Sequence, residues 1–434
     1  MKSRKSISFD LGANISIDRL VSLGNSFNPF IFLNSNRELQ LQQDPYGVFD
    51  ILFAAGSVKD LKPPGNIFDA LKNLHEKEND WIFGYLTYDI KNQVENLTSG
   101  NTDGIGADEF SFFIPRFVCE LNSQTLTIHY REDRDDADST RQFVEELHRP
   151  FHSGRHNRIE MNSQIGREEY LLAVNRIKDH IHQGDVYELN FCQEFFSEHS
   201  EIDPVLIYRD LNNLSPMPFS VYLKMNSLHA ICASPERFLA KRGDKIISQP
   251  IKGTIRRGSS NEEDENQKTT LSQSSKERSE NIMIVDIVRN DLSRSAARGS
   301  VVVEELFGIK TFRQLHQMVS TVTSTLKAGS HFTDVIRHAF PMGSMTGAPK
   351  VRAMQLIEEY ESMKRGLYSG SIGYISPEGD FDLNVVIRTI LYDSNKKFLS
   401  YMAGSAITAE ANADQEYEEC LLKADAMKKV LNRI

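Results

Sequence analysis

Six short apolar runs crowd the first 130 residues, each closed by turn residues. They are Pro29-Phe-Ile-Phe-Leu33, Asp50-Ile-Leu-Phe-Ala54, Trp81-Ile-Phe-Gly-Tyr-Leu-Thr-Tyr88, Phe110-Ser-Phe-Phe-Ile114, Arg116-Phe-Val-Cys119 and Thr125-Leu-Thr-Ile-His-Tyr130. Runs of this length, rich in aromatic and β-branched residues, read as strands. Residues 67–76 read as a helix. Residues 131–165 are polar and charged, with one helical pattern at 142–147 and then Arg149-Pro150. They mark the expected boundary between a β-rich amino-terminal domain, 1–150, and a second domain, 165–434. There, Leu171, Val174, Ile177 and Ile181 recur at helical spacing. Strands are expected at 184–192, 218–223, 229–233 and 237–240. Strands and helices arrive in blocks rather than in strict βαβ alternation. That argues for an α+β protein with large antiparallel sheets and helices outside.

The chain has 434 residues, 40% hydrophobic and 25% charged, enough apolar material for a large core. A net charge of −10 argues against a basic nucleic-acid-binding face. Cys119, Cys192, Cys232 and Cys420 are widely spaced, with no C-x-x-C, which suggests a reducing compartment. Met1-Lys-Ser-Arg-Lys is followed by no apolar leader segment, and no apolar run approaches membrane-spanning length. A cytoplasmic protein is expected, with no membrane partner.

Within Ser248-Gln-Pro-Ile-Lys-Gly-Thr254, Pro250 cannot donate to a sheet ladder, so the strand from Lys245 is expected to end there. Lys252 would then stand at a strand end, either as a surface lysine beside a turn or as a rigidly held functional group. The charge run 259–266 reads as a solvated loop. In the helix expected at 275–290, the apolar stripe through Ile284, Ile287 and Val288 continues back to Glu280 and Glu277. These acids either suit the helix dipole or point inward. Near the C-terminus, Glu416, Glu419 and Lys423 flank Cys420, Ala424 and Met427. Two inward E-x-x-E pairs would gather three or four carboxylates. At about 4 Å and an effective dielectric of 20, each pair repels by about 4 kcal/mol, so the cluster would need a cation. Oxygen ligands alone point to Mg²⁺.

Phe340-Pro-Met-Gly-Ser-Met-Thr-Gly-Ala-Pro-Lys350 leads into a helix at 351–361 and fits either an anion-binding loop or a tight turn with an N-cap. Its glycine spacing is not that of a Walker A loop. Residues 368–374 and 382–389 read as a hairpin, with Arg388 inside an apolar strand, where a buried guanidinium wants a bidentate anion. Ala403-Gly-Ser-Ala406 is expected in a neighbouring strand, offering backbone N–H groups to the same anion.

From about residue 165 onward the chain resembles the chorismate-utilising enzymes. The matching stretches are Ala233-Ser-Pro-Glu-Arg-Phe238, Gln249-Pro-Ile-Lys-Gly-Thr254, Lys276-Glu-Arg-Ser-Glu280, Val285-Asp-Ile-Val-Arg-Asn-Asp291, 340–350, 368–374, Ile387-Arg-Thr389 and 416–423, in the family's order. Residues 1–150 match more loosely, chiefly at 81–89. The resemblance implies a compound fold with two large, mostly antiparallel β-sheets and peripheral helices. It implies Mg²⁺ on Glu280, Glu416 and Glu419 with Glu277 close by, Glu236 as general acid, and Lys252 as nucleophile. It also implies a substrate set of Arg388, Tyr368, Gly404, Ser405, Lys423, Thr254, Thr346 and Glu188. Lysine in Pro-Ile-Lys-Gly-Thr favours the aminodeoxychorismate synthase branch, where the lysine attacks C2 and ammonia then attacks C4. Anthranilate synthase component I, which typically has alanine there, is the alternative. A non-catalytic chorismate-binding subunit is the minor one, disfavoured by the intact Glu236, Lys252 and four glutamates. Asn34-Ser35 lacks the Leu-Leu-Glu-Ser signature of tryptophan-regulated anthranilate synthases.

A free lysine is neutral at pH 7 only about once in 2,500. Burial beside Ile251 is expected to lower its pKa. Glu188 stands where the family often has glutamine and where the water-adding branch has lysine. Gln317 stands where the family commonly has histidine, with His316 one place off. No amidotransferase nucleophile elbow and no lyase segment is read. Ammonia is therefore expected from a separate glutamine amidotransferase subunit, and the product is expected to be 4-amino-4-deoxychorismate.

Overall fold

The computed structural model describes residues 4–11, 16–39, 44–147 and 157–432. The Arg149-Pro150 boundary signal lies outside them. The apolar runs form strands as expected from their composition, and two of them merge. Phe110–Asn122 is one strand, with Pro115 opposite Ser57, where the partner Ile51–Leu61 slips register before Lys59. Proline removes one ladder hydrogen bond, and an irregularity in the partner accommodates the loss.

Strand pairing traces one long antiparallel path. It starts at Val302–Thr311 and Leu315–Thr325, then runs through Lys245–Gln249, Arg237–Arg242, Phe381–Asn384 and Ser371–Ile375. It next enters the amino-terminal region through Ile82–Leu86, Phe110–Asn122, Ile51–Leu61 and Phe30–Asn34. It leaves through Phe219–Met225, Leu228–Ser234, Thr389–Asp393 and Phe398–Ile407, and finishes at Glu188–Ser197. The protein is α+β, but the two expected sheets are two arms of one network. The amino-terminal strands join them because their own edges are completed by strands from residues 219–225 and 371–375.

Helices cover the arms. Arg167–His182 and Ala413–Asn432 bury Tyr170, Val174, Ile177, Cys420, Ala424 and Met427 in one apolar cluster. Ser275–Ser293 buries Ile284, Val285, Val288 and Leu292 in a second. The charge run is not a loop. Asn261–Gln273 is a helix capped by Ser260, whose side chain accepts from the Glu263 N–H, and its first-turn acids suit the dipole. Asp264 turns inward, accepting from Arg257 Nε at 2.6 Å and lying 2.9 Å from His316 Nε2.

Candidate active site

Pro250 breaks the strand for a single residue. Lys245–Gln249 and Ile251–Arg256 both pair with Leu315–Thr325, and the Pro250 carbonyl accepts from Ser320 N–H at 3.1 Å. The strand therefore resumes where the sequence suggested an end. Register then slips between Ile251 and Thr254, with Gly253 at φ +91°. Bulges re-aim side chains, and this one turns Lys252 into a cavity of about 670 Å³. Gly253 is needed twice: its φ is left-handed, and an added Cβ would lie 3.0 Å from Glu277 Oε2.

The two ends of the strand path meet at Lys252. Its Nζ donates to Glu188 Oε1 at 2.6 Å, and both side chains are buried. The expected fall in the lysine pKa is overturned. Burial does push it down, but the carboxylates of Glu188 and Glu280 outweigh burial and hold it above its ordinary value. At rest this lysine is an ammonium.

Glu236 follows the strand Leu228–Ser234 and lines the same cavity. Ser344 Oγ donates to its Oε1 at 2.7 Å. Burial raises the carboxyl to about 7, against the pull of Ser344, Lys252 and Arg388. A carboxyl titrating near neutrality is matched to general-acid work. Arg388 is not in a strand. It sits at φ +51° between Phe381–Asn384 and Thr389–Asp393, and its carbonyl accepts from Ala233 N–H. This left-handed turn directs the guanidinium into the cavity, where burial lowers its pKa to about 10 and Glu236 opposes the shift.

Tyr368 and Gly404 line the cavity as well. The Gly404 carbonyl accepts from Lys423 Nζ at 3.0 Å, and a Cβ there would meet Phe191 O at 2.2 Å. Thr254 Oγ1 accepts from Gln317 Nε2 at 3.3 Å, leaving Gln317 Oε1 buried without a partner. His316 faces the other way, between Thr311 and Asp264, as strand alternation requires. Three expected substrate residues lie off the cavity lining: Glu188, which reaches it only through Lys252, and Thr346 and Ser405. Thr346 is fully buried and its hydroxyl donates to the Met342 carbonyl at 3.0 Å. Ser405 Oγ lies 3.4 Å from the Tyr170 hydroxyl and 3.4 Å from the Glu416 carbonyl.

The four glutamates do not form a ready-made metal cluster: among the described residues no group of three or more such ligands is close enough. What they surround is a lysine. Lys276 Nζ lies 3.4 Å from Glu416 Oε1 and 3.9 Å from Glu280 Oε1. Burial lowers its pKa, but Glu416, Glu280, Glu419 and Glu277 together raise it. Glu280 Oε1 is buried without a hydrogen bond, and burial lifts that carboxyl to about 7. Repulsion from Glu419 adds to burial in raising Glu277. A ring of acids gathered around a cation, with one orphaned oxygen, fits a hard divalent ion chemically.

A buried pair that the sequence does not announce lies behind the lining residues Met345 and Asn190. Arg365 binds both Glu361 oxygens, at 2.9 and 2.6 Å, and also the carbonyls of Met345 and Asn190. Lys364-Arg-Gly366 carries no periodic or motif signal that marks it.

A family model described as chorismate binding enzyme matches residues 26–429. The chain is 34% identical over 350 residues to aminodeoxychorismate synthase component 1 of Escherichia coli, covering 81% of this chain and 76% of that protein. It is 32% identical over 358 residues to anthranilate synthase component 1 of Thermus thermophilus, covering 81% and 77%. The structure of anthranilate synthase component I from Streptococcus pneumoniae superposes with a TM-score of 0.79 at 26% identity, over 89% of this chain and 94% of that one.

Proposed function

The chain belongs to the chorismate binding enzymes, and from that premise we propose that it is an aminodeoxychorismate synthase component 1, aminating chorismate at C4. The observation that carries the choice is Lys252, turned into the cavity by the bulge and held 2.6 Å from Glu188. Nucleophilic addition at C2 needs an amine there.

Arg388 and Lys423, with Tyr368, would hold the enolpyruvyl carboxylate. Arg388 suits this role because its guanidinium has no protein carboxylate in hydrogen-bond reach among the described residues. Glu236, near-neutral and fixed by Ser344, would protonate the departing C4 oxygen. Glu280, Glu416, Glu419 and Glu277 would hold Mg²⁺, which when bound supplies a counter-charge for the ring carboxylate. Lys252 would add to C2 as water leaves C4, and ammonia would then add to C4 as Lys252 leaves. A glutamine amidotransferase subunit is the proposed ammonia source, in keeping with the component naming of the relatives. No helix among the described residues is long and apolar enough to cross a membrane.

The test is product analysis with chorismate, Mg²⁺ and an ammonium salt. The expected product is 4-amino-4-deoxychorismate without pyruvate, and Lys252→Ala should lose C4 amination. Anthranilate formed with one pyruvate per chorismate would establish the anthranilate synthase reading instead.

A further inference from the structure

We propose that Glu188 is the proton acceptor that converts Lys252 from a resting ammonium into a nucleophile; this rests on Lys252 being the group that adds to C2. The ion pair is short, at 2.6 Å, and Glu188 Oε1 is the only acceptor within hydrogen-bond distance of Lys252 Nζ among the described residues. The backbone of Glu188 is fixed where its strand pairs with Gly347 and Ala348 on one edge and with Phe398–Ile407 on the other.

The second oxygen distinguishes this pair from a structural one. Glu361, another deeply buried acid, has both oxygens occupied by Arg365, and one of them also accepts from the Cys192 N–H. Glu188 Oε2 is buried with no hydrogen bond at all. An ionised carboxylate left half-satisfied in the interior is poorly solvated, whereas a protonated one tolerates the same place. Proton transfer from Nζ to Oε1 leaves two neutral groups in a buried site and requires no exchange with solvent. The other charges acting on the pair or its neighbour are Glu236 and Arg388 across the cavity, Glu277 and Glu280 on the helix Ser275–Ser293, and Glu419 on Ala413–Asn432.

The step balances. Oε1 takes a proton from Nζ, and the freed lone pair forms the Nζ–C2 bond. The two ring double bonds shift and the C4–O bond breaks, with the Glu236 proton completing water. Nζ is then a secondary ammonium. When ammonia adds to C4, the double bonds shift back and the Nζ–C2 bond breaks, returning its electron pair to Nζ. The new C4 ammonium gives its extra proton to Glu236. Glu188 returns its proton to Lys252, and the resting state is restored.

The test compares wild type, Glu188→Gln and Lys252→Ala with saturating chorismate and Mg²⁺, holding free ammonia constant between pH 6.5 and 9. Internal transfer makes the wild-type rate independent of pH as far as this pair is concerned. In Glu188→Gln the lysine must lose its proton to solvent. Its kcat should fall roughly 100-fold or more at pH 7, the scale of a lost proton-transfer group. Relative to wild type at the same pH, it should then recover roughly tenfold per pH unit as the lysine deprotonates, with KM for chorismate little changed. Should Glu188→Gln not fold, Glu188→Asp keeps an acceptor and must follow the wild-type profile. A wild-type rate and profile in Glu188→Gln, or a rise of roughly tenfold per pH unit relative to wild type in Glu188→Asp, overturns the proposal while Lys252→Ala remains dead. C4 amination that survives in Lys252→Ala refutes the nucleophile reading itself.

Discussion

Replacing Glu236 with glutamine should stabilise the protein, and only at the alkaline side. The carboxyl stands at about 7 in the fold against an ordinary value of 4.5, chiefly because of burial. At 1.36 kcal/mol per tenfold, the gap is worth about 3 kcal/mol. Between those two values the native state keeps a proton that the unfolded chain has given up. Stability tied to this group is therefore fully present below pH 4.5 and is lost as pH rises through 7. Glutamine has nearly the same shape, can still accept from Ser344, and cannot ionise. Urea unfolding of wild type and Glu236→Gln in metal-free buffer should coincide near pH 4.5. By pH 8 the variant should be ahead by up to about 3 kcal/mol. The same variant should lose turnover, since it has no proton to give the C4 oxygen. An identical stability difference at both pH values, or a variant less stable at pH 8, would refute the placement of a titrating carboxyl at this position.

Ser344→Ala removes a hydrogen bond that favours ionised Glu236. The alkaline limb of kcat/KM should therefore move up by about one pH unit, measured at fixed free ammonia; no movement would leave Ser344 a spectator. Glu280→Gln should abolish Mg²⁺-dependent turnover and any Mg²⁺-induced rise in melting temperature, while leaving the metal-free fold as stable or more so, because one of four repelling acids is gone. Arg388→Ala should raise KM for chorismate roughly 10- to 100-fold, the scale of a lost hydrogen bond to a charged group. Lysine should restore it only partly, and unchanged affinity in both variants would make Arg388 purely structural. Arg365→Met strands buried Glu361 and should cost about 3–5 kcal/mol in chemical denaturation, whereas Arg365→Met combined with Glu361→Leu should recover much of it.

The sequence was most readable where side-chain period and turn chemistry agree. The runs at 29–33, 50–54 and 81–88 form strands, the spacing of Leu171, Val174, Ile177 and Ile181 marks the helix Arg167–His182, and the helices expected at 67–76 and 275–290 end within a few residues of those boundaries. Residues 259–266 carry a charge density that reads as a loop, yet the cap at Ser260 and the dipole-compatible acids behind it make a helix. Arg388 misled because an apolar stretch hides a left-handed residue, a conformation that is uncommon outside glycine, asparagine and aspartate. The pKa of Lys252 could not be read from Ile251, because the deciding carboxylate lies 64 positions earlier on the opposite arm of the sheet. Thr346 and Ser405 share stretches with residues that line the cavity, yet motif membership does not say which face a side chain takes.

The strand path places the amino-terminal region in a position that matters for chimeras. Its strands pair with strands of the rest of the protein along two seams, Phe30–Asn34 against Phe219–Met225 and Ile82–Leu86 against Ser371–Ile375, with five Cα pairs at each. A fragment from residue 165 onward would expose both partner strands as bare, apolar edges that invite association with other chains. Swapping residues 1–150 for those of a relative would succeed only if both seams kept their alternation, because a slip of one residue turns every side chain to the wrong face. Either seam also sets the spacing of the arms whose far ends carry Lys252 and Glu188. A graft could therefore fold well and still pull apart a 2.6 Å contact that none of its own residues touches.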